Sequence, residues 1–249
     1  MTVSLSALNI RGLLLDIEGT TTPITFVYDV LFPFARSHVK QYLAEHFDQP
    51  EVRVAVAYLR EEHLADVSGD LNPPALLAGS GNTAIDSLVS YSYWLMDRDR
   101  KSTGLKSLQG KIWEQGYRDG TLKAQVFVDV PRALQRWRKA GQKISIFSSG
   151  SVLAQKLLFA HTESGDLTEF IAQYFDTTTG PKTVSDSYQR IATAFTTTPQ
   201  QILFVSDVAA ELDAASAAGM HTLLCVRPGN HPPPINQHTT VSSFDEIAD

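Results

Sequence analysis

One short apolar run precedes a long stretch in which apolar residues recur at helical spacing. The run, residues 13–15, is followed by a glycine and a proline, as expected of a buried strand that ends in a turn. Beyond it, the spacing predicts helices at residues 25–47, 52–67, 83–97 and 105–117, with no strand between them. Residues 72–81 begin with Asn-Pro-Pro after a leucine and end in Gly-Ser-Gly, which predicts a loop.

Strands and helices alternate from residue 124 onward. Short apolar runs bounded by turn residues predict strands at 143–147, 174–175, 202–205 and 222–226. Helical spacing predicts helices at 131–139, 152–160, 184–195 and 209–218. A loop with three prolines, 229–234, and a short terminal element, 241–247, complete the chain. Repeated strand–helix units indicate the α/β class, with a parallel sheet covered by helices on its faces.

The first strand belongs to this sheet, although the helical stretch separates it from the other strands. We therefore predict a core domain formed by residues 1–24 and 124–249, with an all-helical domain, residues 25–123, inserted as a cap. An insertion of this length is far longer than an ordinary connection between strands. A chain of 249 residues is long enough to bury a sizeable core in such an arrangement.

The charge balance argues against nucleic acid as a partner. Acidic residues number 27 against 21 Lys and Arg, for a formal net charge of −6, and no basic stripe is present to neutralise phosphates. The basic residues that do gather have helical spacing, which predicts solvated helix faces: Arg98, Arg100 and Lys101, and Arg136, Arg138 and Lys139.

Apolar runs and the N-terminus argue against a membrane partner. No run approaches the roughly 18 apolar residues that span a bilayer, and the N-terminus lacks the pattern of a signal peptide. We therefore expect a cytoplasmic protein. Its single cysteine, Cys225, lies in an apolar run and is predicted to be a buried small hydrophobe, not a nucleophile.

Two acids stand at the end of the first strand. Asp16 and Glu18, two residues apart, would project to the same side of an extended chain, about 7 Å from each other. Gly19 and the following threonines would allow backbone N–H groups to turn toward an anion. Two carboxylates beside a bound phosphate require a cation, and hard oxygen ligands suggest Mg²⁺. The alternative is a strand-end turn with two solvated acids.

Further candidates follow other predicted strands, where ligands of open parallel sheets bind. Ser148 and Ser149 come after residues 143–147 and could hold a phosphate, or one of them could only cap the next helix. Asp207 follows residues 202–205 and could complete a Mg²⁺ site with Asp16, or be a helix N-cap. Lys182 precedes a helix and could neutralise charge between a carboxylate and a phosphate, although a lone loop lysine is usually solvated. Glu211, four residues after Asp207, could support that site.

These residues resemble the motifs of the haloacid dehalogenase superfamily of phosphotransferases. The first motif of that superfamily, Asp-x-Asp-Gly-Thr, is similar to Asp16-Ile17-Glu18-Gly19-Thr20, and the second, third and fourth correspond to Ser148, Lys182 and Asp207. Glu18 departs from the usual second Asp, and the stretch around it resembles the enolase-phosphatase family of methionine salvage. Further matching blocks span most of the chain: Phe26-Val27, Leu31-Phe32-Pro33, residues 105–113, Ser148-Ser149-Gly150-Ser151, Gln155-Lys156-Leu157-Leu158 and Val226-Arg227-Pro228-Gly229-Asn230.

The resemblance implies a Rossmann-like core with a helical cap and a two-step reaction on a small phosphorylated diketone, 2,3-diketo-5-methylthiopentyl-1-phosphate. The substrate is enolised and then dephosphorylated to the acireductone 1,2-dihydroxy-3-keto-5-methylthiopentene. One Mg²⁺ per chain and a monomer are implied. Asp16, Glu18 and Asp207 correspond to metal-site positions, residue 18 often through its backbone carbonyl.

The resemblance also implies individual roles at the site. Asp16 would be the nucleophile, and Glu18 would occupy the position of the general acid/base. Ser148, Ser149 and Lys182 would contact the substrate. The base that removes the proton for enolisation is not assigned; the candidates are Glu18 and a cap residue such as Tyr91 or Tyr93.

Two other functions fit parts of the same pattern. A different capped phosphatase or phosphomutase of the superfamily would use the same residues on another phosphate ester. A phospho-acceptor signalling domain also combines an acid pair, Mg²⁺, a hydroxyl and a lysine, but has no use for an insert of about 100 residues. Dinucleotide binding is disfavoured because no G-x-G-x-x-G follows the first strand.

Overall fold

A computed structural model describes residues 2–230 and 237–249 of the chain. It divides into two compact units, an α/β unit formed by Met1–Asp29 and Lys123–Asp249 and a helical unit, Val30–Leu122. The predicted proline-rich loop lies largely outside the described residues, at Pro232, Pro233 and Pro234.

The α/β unit contains a parallel sheet, as the sequence predicts, and this sheet has six strands, one more than the five predicted. A two-stranded parallel pair, β1 with β8, lies apart from it. The main sheet has the strand order β4-β3-β2-β5-β6-β7, which places β2 and β5 at its centre. The strands are β1 (Val3–Ser4), β2 (Gly12–Leu15), β3 (Lys143–Phe147), β4 (Ile171–Phe175), β5 (Ile202–Ser206), β6 (His221–Cys225), β7 (Thr239–Val241) and β8 (Ile247–Ala248).

Central strands β2 and β5 are buried along their whole length, because helices cover both faces of a parallel sheet. The α-helices of both units are, in chain order, α1 (Phe32–His46), α2 (Pro50–Ser68), α3 (Asn82–Met96), α4 (Thr103–Asp119), α5 (Val130–Lys139), α6 (Val152–Ala160), α7 (Ser185–Phe195) and α8 (Ala209–Ala217). Helices α5 to α8 belong to the α/β unit, and Cys225 is buried there, as predicted.

Some strands differ from those that the sequence predicts. Strand β4 is five residues long, where the pattern predicts only residues 174–175. The apolar triplet 126–128, which opens the α/β region, forms no strand in the described chain, and Val128 is 86% exposed. Strand β1 has no predicted counterpart, because a pair of two-residue strands far apart in sequence leaves no periodic signal.

Helices α1 to α4 pack against one another in the helical unit. A π-helical turn, Phe26–Leu31, leads directly into α1, and Pro33 is the second residue of α1, so its missing N–H falls at the junction of the two helical segments. The indole of Trp113 in α4 donates to the carbonyl of Leu31 at 2.8 Å. No described helix of the chain is long and apolar enough to cross a membrane.

Two of the basic clusters are not simply solvated helix faces. Arg100 pairs with Asp66, whose carboxylate is 3% exposed, and the hydroxyl of Tyr91 donates to the same carboxylate at 2.7 Å. Arg136 donates to the carbonyls of Phe244 and Ile247 at 3.0 and 2.9 Å. The prediction of a helix face was wrong for Arg100, which lies beyond the end of α3 at Met96, although its side chain is exposed. Arg136 lies in α5 and is partly exposed, and helical spacing does not reveal an acceptor supplied by a distant segment.

Close packing of α4 against α2 requires a glycine at residue 104. A Cβ added there would lie 2.7 to 2.8 Å from atoms of Ala55 and Leu59 in α2. We expect Gly104→Ala to lower the free energy of unfolding by about 1–3 kcal/mol, because the helices must move apart. Gly110→Ala in the same helix is the control, since its Cβ would meet nothing within 4 Å.

The control should be neutral or should raise the free energy of unfolding by up to about 1 kcal/mol, the helix-propensity gain of Ala over Gly. Urea unfolding followed by circular dichroism measures both variants. Equal midpoints for the two variants would show that the contact at Gly104 does not limit the packing of α2 and α4.

Candidate functional site

The carboxyl ends of the central strands bring the candidate residues to one edge of the sheet. Leu15, the last residue of β2, lies opposite Ile146 of β3 and Val205 of β5. The next residue, Asp16, donates its backbone N–H to the carbonyl of Val205 at 3.0 Å. The parallel register therefore places Asp16 beside the ends of β3 and β5, which lead to Ser148 and Asp207.

After Asp16 the chain makes a tight turn, which we call the site loop (residues 17–22). The carbonyl of Ile17 accepts hydrogen bonds from the backbone N–H groups of residues 20, 21 and 22, at 3.2, 2.9 and 2.8 Å. Gly19 has φ +68, in the left-handed region that favours glycine. A Cβ at this position would also collide with the carboxylate of Asp207. The glycine therefore permits both the turn and the close approach of Asp207.

Lys182 lies buried between two carboxylates. Its ammonium is 2.5 Å from Asp16 Oδ1 and 2.6 Å from Glu211 Oε2, and the residue is 7% exposed. Burial acts to lower the pKa of Lys182, but the charges of Asp16 and Glu211 outweigh it and raise that pKa. The alternative of a solvated loop lysine is therefore wrong, because Lys182 offsets the charge of two carboxylates, and its contact with a phosphate stays a prediction.

The loop before α7 fixes the backbone of Lys182. Gly180 has φ +143, and a side chain there would collide with Ser187. The hydroxyl of Tyr188 donates to the carbonyl of Lys182 at 2.6 Å, and that of Ser187 donates to the carbonyl of Pro181 at 2.8 Å. The first turn of α7 thus orients the chain so that the lysine side chain reaches Asp16 across the sheet edge.

Asp207 and Glu211 add negative charge to the same edge. Burial first, and then the charges of Asp16 and Glu211, raise the pKa of Asp207 to about 7. Burial also raises the pKa of Glu211, with the charge of Asp16 acting in the same direction. Glu18, half-buried in the site loop, contributes a smaller raising effect at Asp207. Lys182 alone therefore does not balance the four carboxylates.

The charge and chemistry of these groups fit a hard divalent cation. Carboxylate and carbonyl oxygens are the donors that Mg²⁺ prefers, and the crowding of carboxylates favours a cation among them. Within residues 2–230 and 237–249, however, no three His, Cys, Asp or Glu side chains converge closely enough to hold a metal ion. A cation at this edge would therefore need oxygen donors other than acidic side chains alone.

Ser148 and Ser149, the two residues directly after β3, do not cap the next helix. Ser151 has that role, because its side chain accepts from the N–H of Ala154 at 3.3 Å. The capping alternative for Ser148 and Ser149 is therefore wrong. Ser148 Oγ instead accepts from the N–H of Gly150 at 3.2 Å, and Ser149 is exposed. The capping alternative for Asp207 is also wrong, because α8 begins after Val208, which occupies the N-cap position.

Sequence reasoning missed several residues around the site. Gln155 in α6 donates to the carbonyls of Gly150 and Phe175, at 2.8 and 2.9 Å, and so joins two strand ends. Ser206 Oγ donates to Glu211 at 2.9 Å. Both Gln155 and Asn230 lie in blocks that carry the family resemblance, which is the one signal that could have drawn attention to them.

Tyr91 and Tyr93, the candidate bases of the helical unit, donate hydrogen bonds within that unit. Tyr91 is fully buried, and burial first, then its hydrogen bond to Asp66, raises the pKa of its hydroxyl. The hydroxyl of Tyr93 donates to the carbonyl of Arg36 at 3.1 Å. The Tyr91 hydroxyl is therefore a structural donor, and both contacts favour support of the helices over proton abstraction.

Curated relatives match the chain over nearly its full length. Residues 10–219 match the haloacid dehalogenase-like hydrolase family. A protein named Enolase-phosphatase E1 from Synechococcus elongatus is 53% identical over 239 residues, 96% of this chain and 98% of its own. A protein of the same name from Sorangium cellulosum is 47% identical, with 98% of this chain and all of its own covered.

A solved structure agrees with these relatives. The UTR4 protein from Saccharomyces cerevisiae superimposes with a TM-score of 0.76 and 33% sequence identity, over 95% of this chain and 99% of its own. Two L-2-haloacid dehalogenases superimpose with TM-scores of 0.53 and 0.51 at 17% and 15% identity, which shows a shared fold. By its sheet, its strand-end residues and these likenesses, the chain belongs to the haloacid dehalogenase-like hydrolases and, among them, to the enolase-phosphatase E1 family.

Proposed function

We propose that this chain converts 2,3-diketo-5-methylthiopentyl-1-phosphate to 1,2-dihydroxy-3-keto-5-methylthiopentene and phosphate in methionine salvage. The observation that carries the proposal is the buried contact of Lys182 with Asp16 and Glu211, beside Asp207, at the carboxyl edge of a parallel sheet. The names of the relatives supply the type of reaction, and the family resemblance of the sequence supplies the substrate. A cytoplasmic location and a monomeric state stay predictions from the sequence.

Asp16 is suited to attack phosphorus. Lys182 binds its Oδ1, which restrains the carboxylate and leaves Oδ2 as the attacking atom. In the first step a bond forms between Oδ2 and phosphorus while the bond from phosphorus to the ester oxygen breaks. Water then attacks the aspartyl-phosphate and releases inorganic phosphate, which restores the carboxylate. Lys182 keeps its charge through both steps because its pKa is raised.

Glu18 is the proposed acid for the leaving oxygen. It lies two residues after Asp16 in the site loop, half-buried, on a turn whose backbone is fixed by hydrogen bonds to Ile17. Its carboxyl group would give a proton to the departing enol oxygen and later take one from the attacking water. Glutamate has one methylene more than the aspartate usual at this position, which suits a longer reach. Ser148 and Ser149 would contact the phosphate from the end of β3.

Oxygen donors for one Mg²⁺ per chain would come from Asp16, Asp207 and residue 18, the last through its backbone carbonyl. Two side chains and one carbonyl accord with the finding that no three acidic or metal-binding side chains converge in the described part of the chain. A bound Mg²⁺ acts as a Lewis acid that neutralises phosphate charge and polarises the carbonyl to be enolised. The carboxylates not offset by Lys182 would keep the site attractive to such an ion.

We also propose that the helical unit, Val30–Leu122, is the cap that the sequence predicts at residues 25–123. A cap over the diketone would exclude water and protect an oxygen-sensitive product. The burial of Tyr91 and its hydrogen bond to Asp66 argue against Tyr91 as the base of enolisation, and the hydrogen bond of Tyr93 to the carbonyl of Arg36 argues against Tyr93. Of the candidates considered, Glu18 is therefore favoured for that step as well.

An assay of phosphate release across a panel of esters tests the proposed substrate. We expect the diketone phosphate to be cleaved with a kcat/KM at least about 100-fold above those of simple sugar phosphates and phosphoglycolate, since enzymes discriminate by such factors through buried contacts. Chelation should abolish turnover, and added Mg²⁺ should restore it. A panel in which another ester is cleaved best would assign the chain to a different phosphatase activity.

Replacement of the proposed nucleophile should stop turnover without loss of the fold. Asp16→Asn is nearly isosteric, but its amide cannot attack phosphorus, so we expect phosphate release to fall by more than about 10³-fold. Asp166→Asn is the matched control, because that exposed carboxylate only accepts from Thr168 in a turn. Circular dichroism should show native folds for both. Normal turnover by folded Asp16→Asn would exclude it as the nucleophile.

Leaving groups of different basicity test the role of Glu18. Glu18→Gln should slow release of phosphate from alkyl esters by about 10²–10⁴-fold, the usual contribution of a general acid. The single-turnover release of nitrophenolate from p-nitrophenyl phosphate should slow far less, because nitrophenolate departs without a proton, whereas the later attack of water would still need Glu18. An equal loss on both kinds of ester would assign the leaving-group proton to another residue.

A further inference from the structure

One C-terminal segment, 226–230, holds two successive carbonyls of the site loop. The Nε of Arg227 donates to the carbonyl of Thr20 at 3.1 Å, and the side-chain amide of Asn230 donates to the carbonyl of Gly19 at 2.9 Å. The same amide lies 3.4 Å from Asp207 Oδ2. The segment is more than 200 residues away in sequence, yet it contacts the turn that carries Glu18.

A third carbonyl of the loop is held in the same way. The backbone N–H of Phe127 donates to the carbonyl of Thr21 at 3.0 Å. The N–H groups of residues 20 to 22 already donate to Ile17 within the loop. Both sides of the loop backbone are therefore hydrogen-bonded, the N–H groups internally and three successive carbonyls by outside donors, which restricts its motion.

Arg227 is itself rigidly placed. It is 5% exposed, and its guanidinium lies 4.5 and 4.7 Å from the ring centroids of Phe127 and Phe244. Its Nη1 donates to Asp129 Oδ2 at 2.8 Å and to the carbonyl of Ser242 at 3.1 Å. A planar guanidinium stacked between two rings and bonded along two edges has little freedom to rotate. The position of Nε, and so of the Thr20 carbonyl, follows from these contacts.

Asp129 completes this support. Its Oδ2 also accepts from the N–H of Phe244 at 2.6 Å and from the hydroxyl of Ser243 at 3.0 Å. Burial acts to raise the pKa of Asp129, but the hydrogen bonds from Arg227 and Phe244 outweigh it and lower that pKa. The carboxylate is therefore charged at neutral pH and is a permanent partner of the arginine.

We propose that Arg227 is a positioning residue for phosphoryl transfer. It holds the site loop in place and so keeps Glu18 correctly positioned relative to Asp16. The inference rests on the proposed phosphatase function. Asp129 fixes the guanidinium, Nε of Arg227 fixes the Thr20 carbonyl, and the turn of the site loop carries that constraint to Glu18. Misplacement of a catalytic group by about 1 Å can cost up to about 100-fold in rate, so a loosened loop should lower kcat.

Arg136 provides a matched control. It is also an arginine that supports the C-terminal element, through the carbonyls of Phe244 and Ile247, and it lies 5.7 Å from the ring of Trp137. None of its hydrogen bonds in the described part of the chain goes to the site loop. Arg136→Gln should therefore lower stability without changing kcat, whereas Arg227→Gln should lower both.

Kinetics at a temperature well below both unfolding transitions test the proposal. For the ester that the unaltered chain hydrolyses best, we expect Arg227→Gln to lower kcat about 10–100-fold with KM within about twofold. Arg227→Lys keeps the charge beside Asp129 but lacks the planar fork, so its kcat should stay low. A folded Arg227→Gln with unchanged kcat, or equal kcat losses in Arg227→Gln and Arg136→Gln, would overturn the proposal.

Amide hydrogen exchange supplies a readout that needs no substrate. In Arg227→Lys, and in Arg227→Gln where it folds, the amides of residues 20–22 should exchange at least tenfold faster, while those of β2 keep their rates. Unchanged exchange in the loop would overturn the positioning role even if kcat fell. If the unaltered chain does not hydrolyse the diketone phosphate but hydrolyses another ester, the proposed substrate is wrong. The same variants then test the role of Arg227 with that other ester.

Discussion

The buried ammonium of Lys182 between Asp16 and Glu211 is the interaction on which the site depends. Carboxylates at the ends of adjacent parallel strands repel one another once they leave water, and a cation among them offsets that cost. Loss of one partner from such a buried pair typically costs about 3–5 kcal/mol, because the remaining charge is left without compensation. The turn at Gly180 and the hydroxyl of Tyr188, which place the lysine, are therefore part of the site.

The same balance of charge connects stability to chemistry. Lys182 offsets the carboxylates only in part, as the raised pKa values of Asp207 and Glu211 indicate. A site with excess negative charge and several oxygen donors favours a hard cation, and a cation in turn admits a phosphate that the carboxylates alone would repel. The contact between Lys182 and Asp16 also restrains the proposed nucleophile before any substrate arrives, which lowers the entropic cost of reaction.

Segments far apart in the chain meet at the site loop. Its backbone N–H groups donate within the turn, while Phe127, Arg227 and Asn230 supply donors to its carbonyls. Phe127 lies near the start of the second segment of the α/β unit, Lys123–Asp249, and Arg227 and Asn230 lie just after β6. The sheet must therefore be complete before all these hydrogen bonds to the loop can form. In this chain of the enolase-phosphatase family, the site loop is thus supported by residues that lie outside the four superfamily motifs.

Periodicity and turn residues act over short range, so the amino-acid sequence was enough to predict the order and type of the main elements and the strand-end positions of Asp16, Ser148 and Asp207. Resemblance to a known family added the candidate roles of these residues, which stay predictions. The folded chain was needed to show that Lys182 contacts Glu211 as well as Asp16, that Ser151 caps α6, and that Arg100 pairs with a buried acid. Each of these contacts joins side chains or backbone groups whose separation depends on how the chain packs, and local spacing carries no information about that packing.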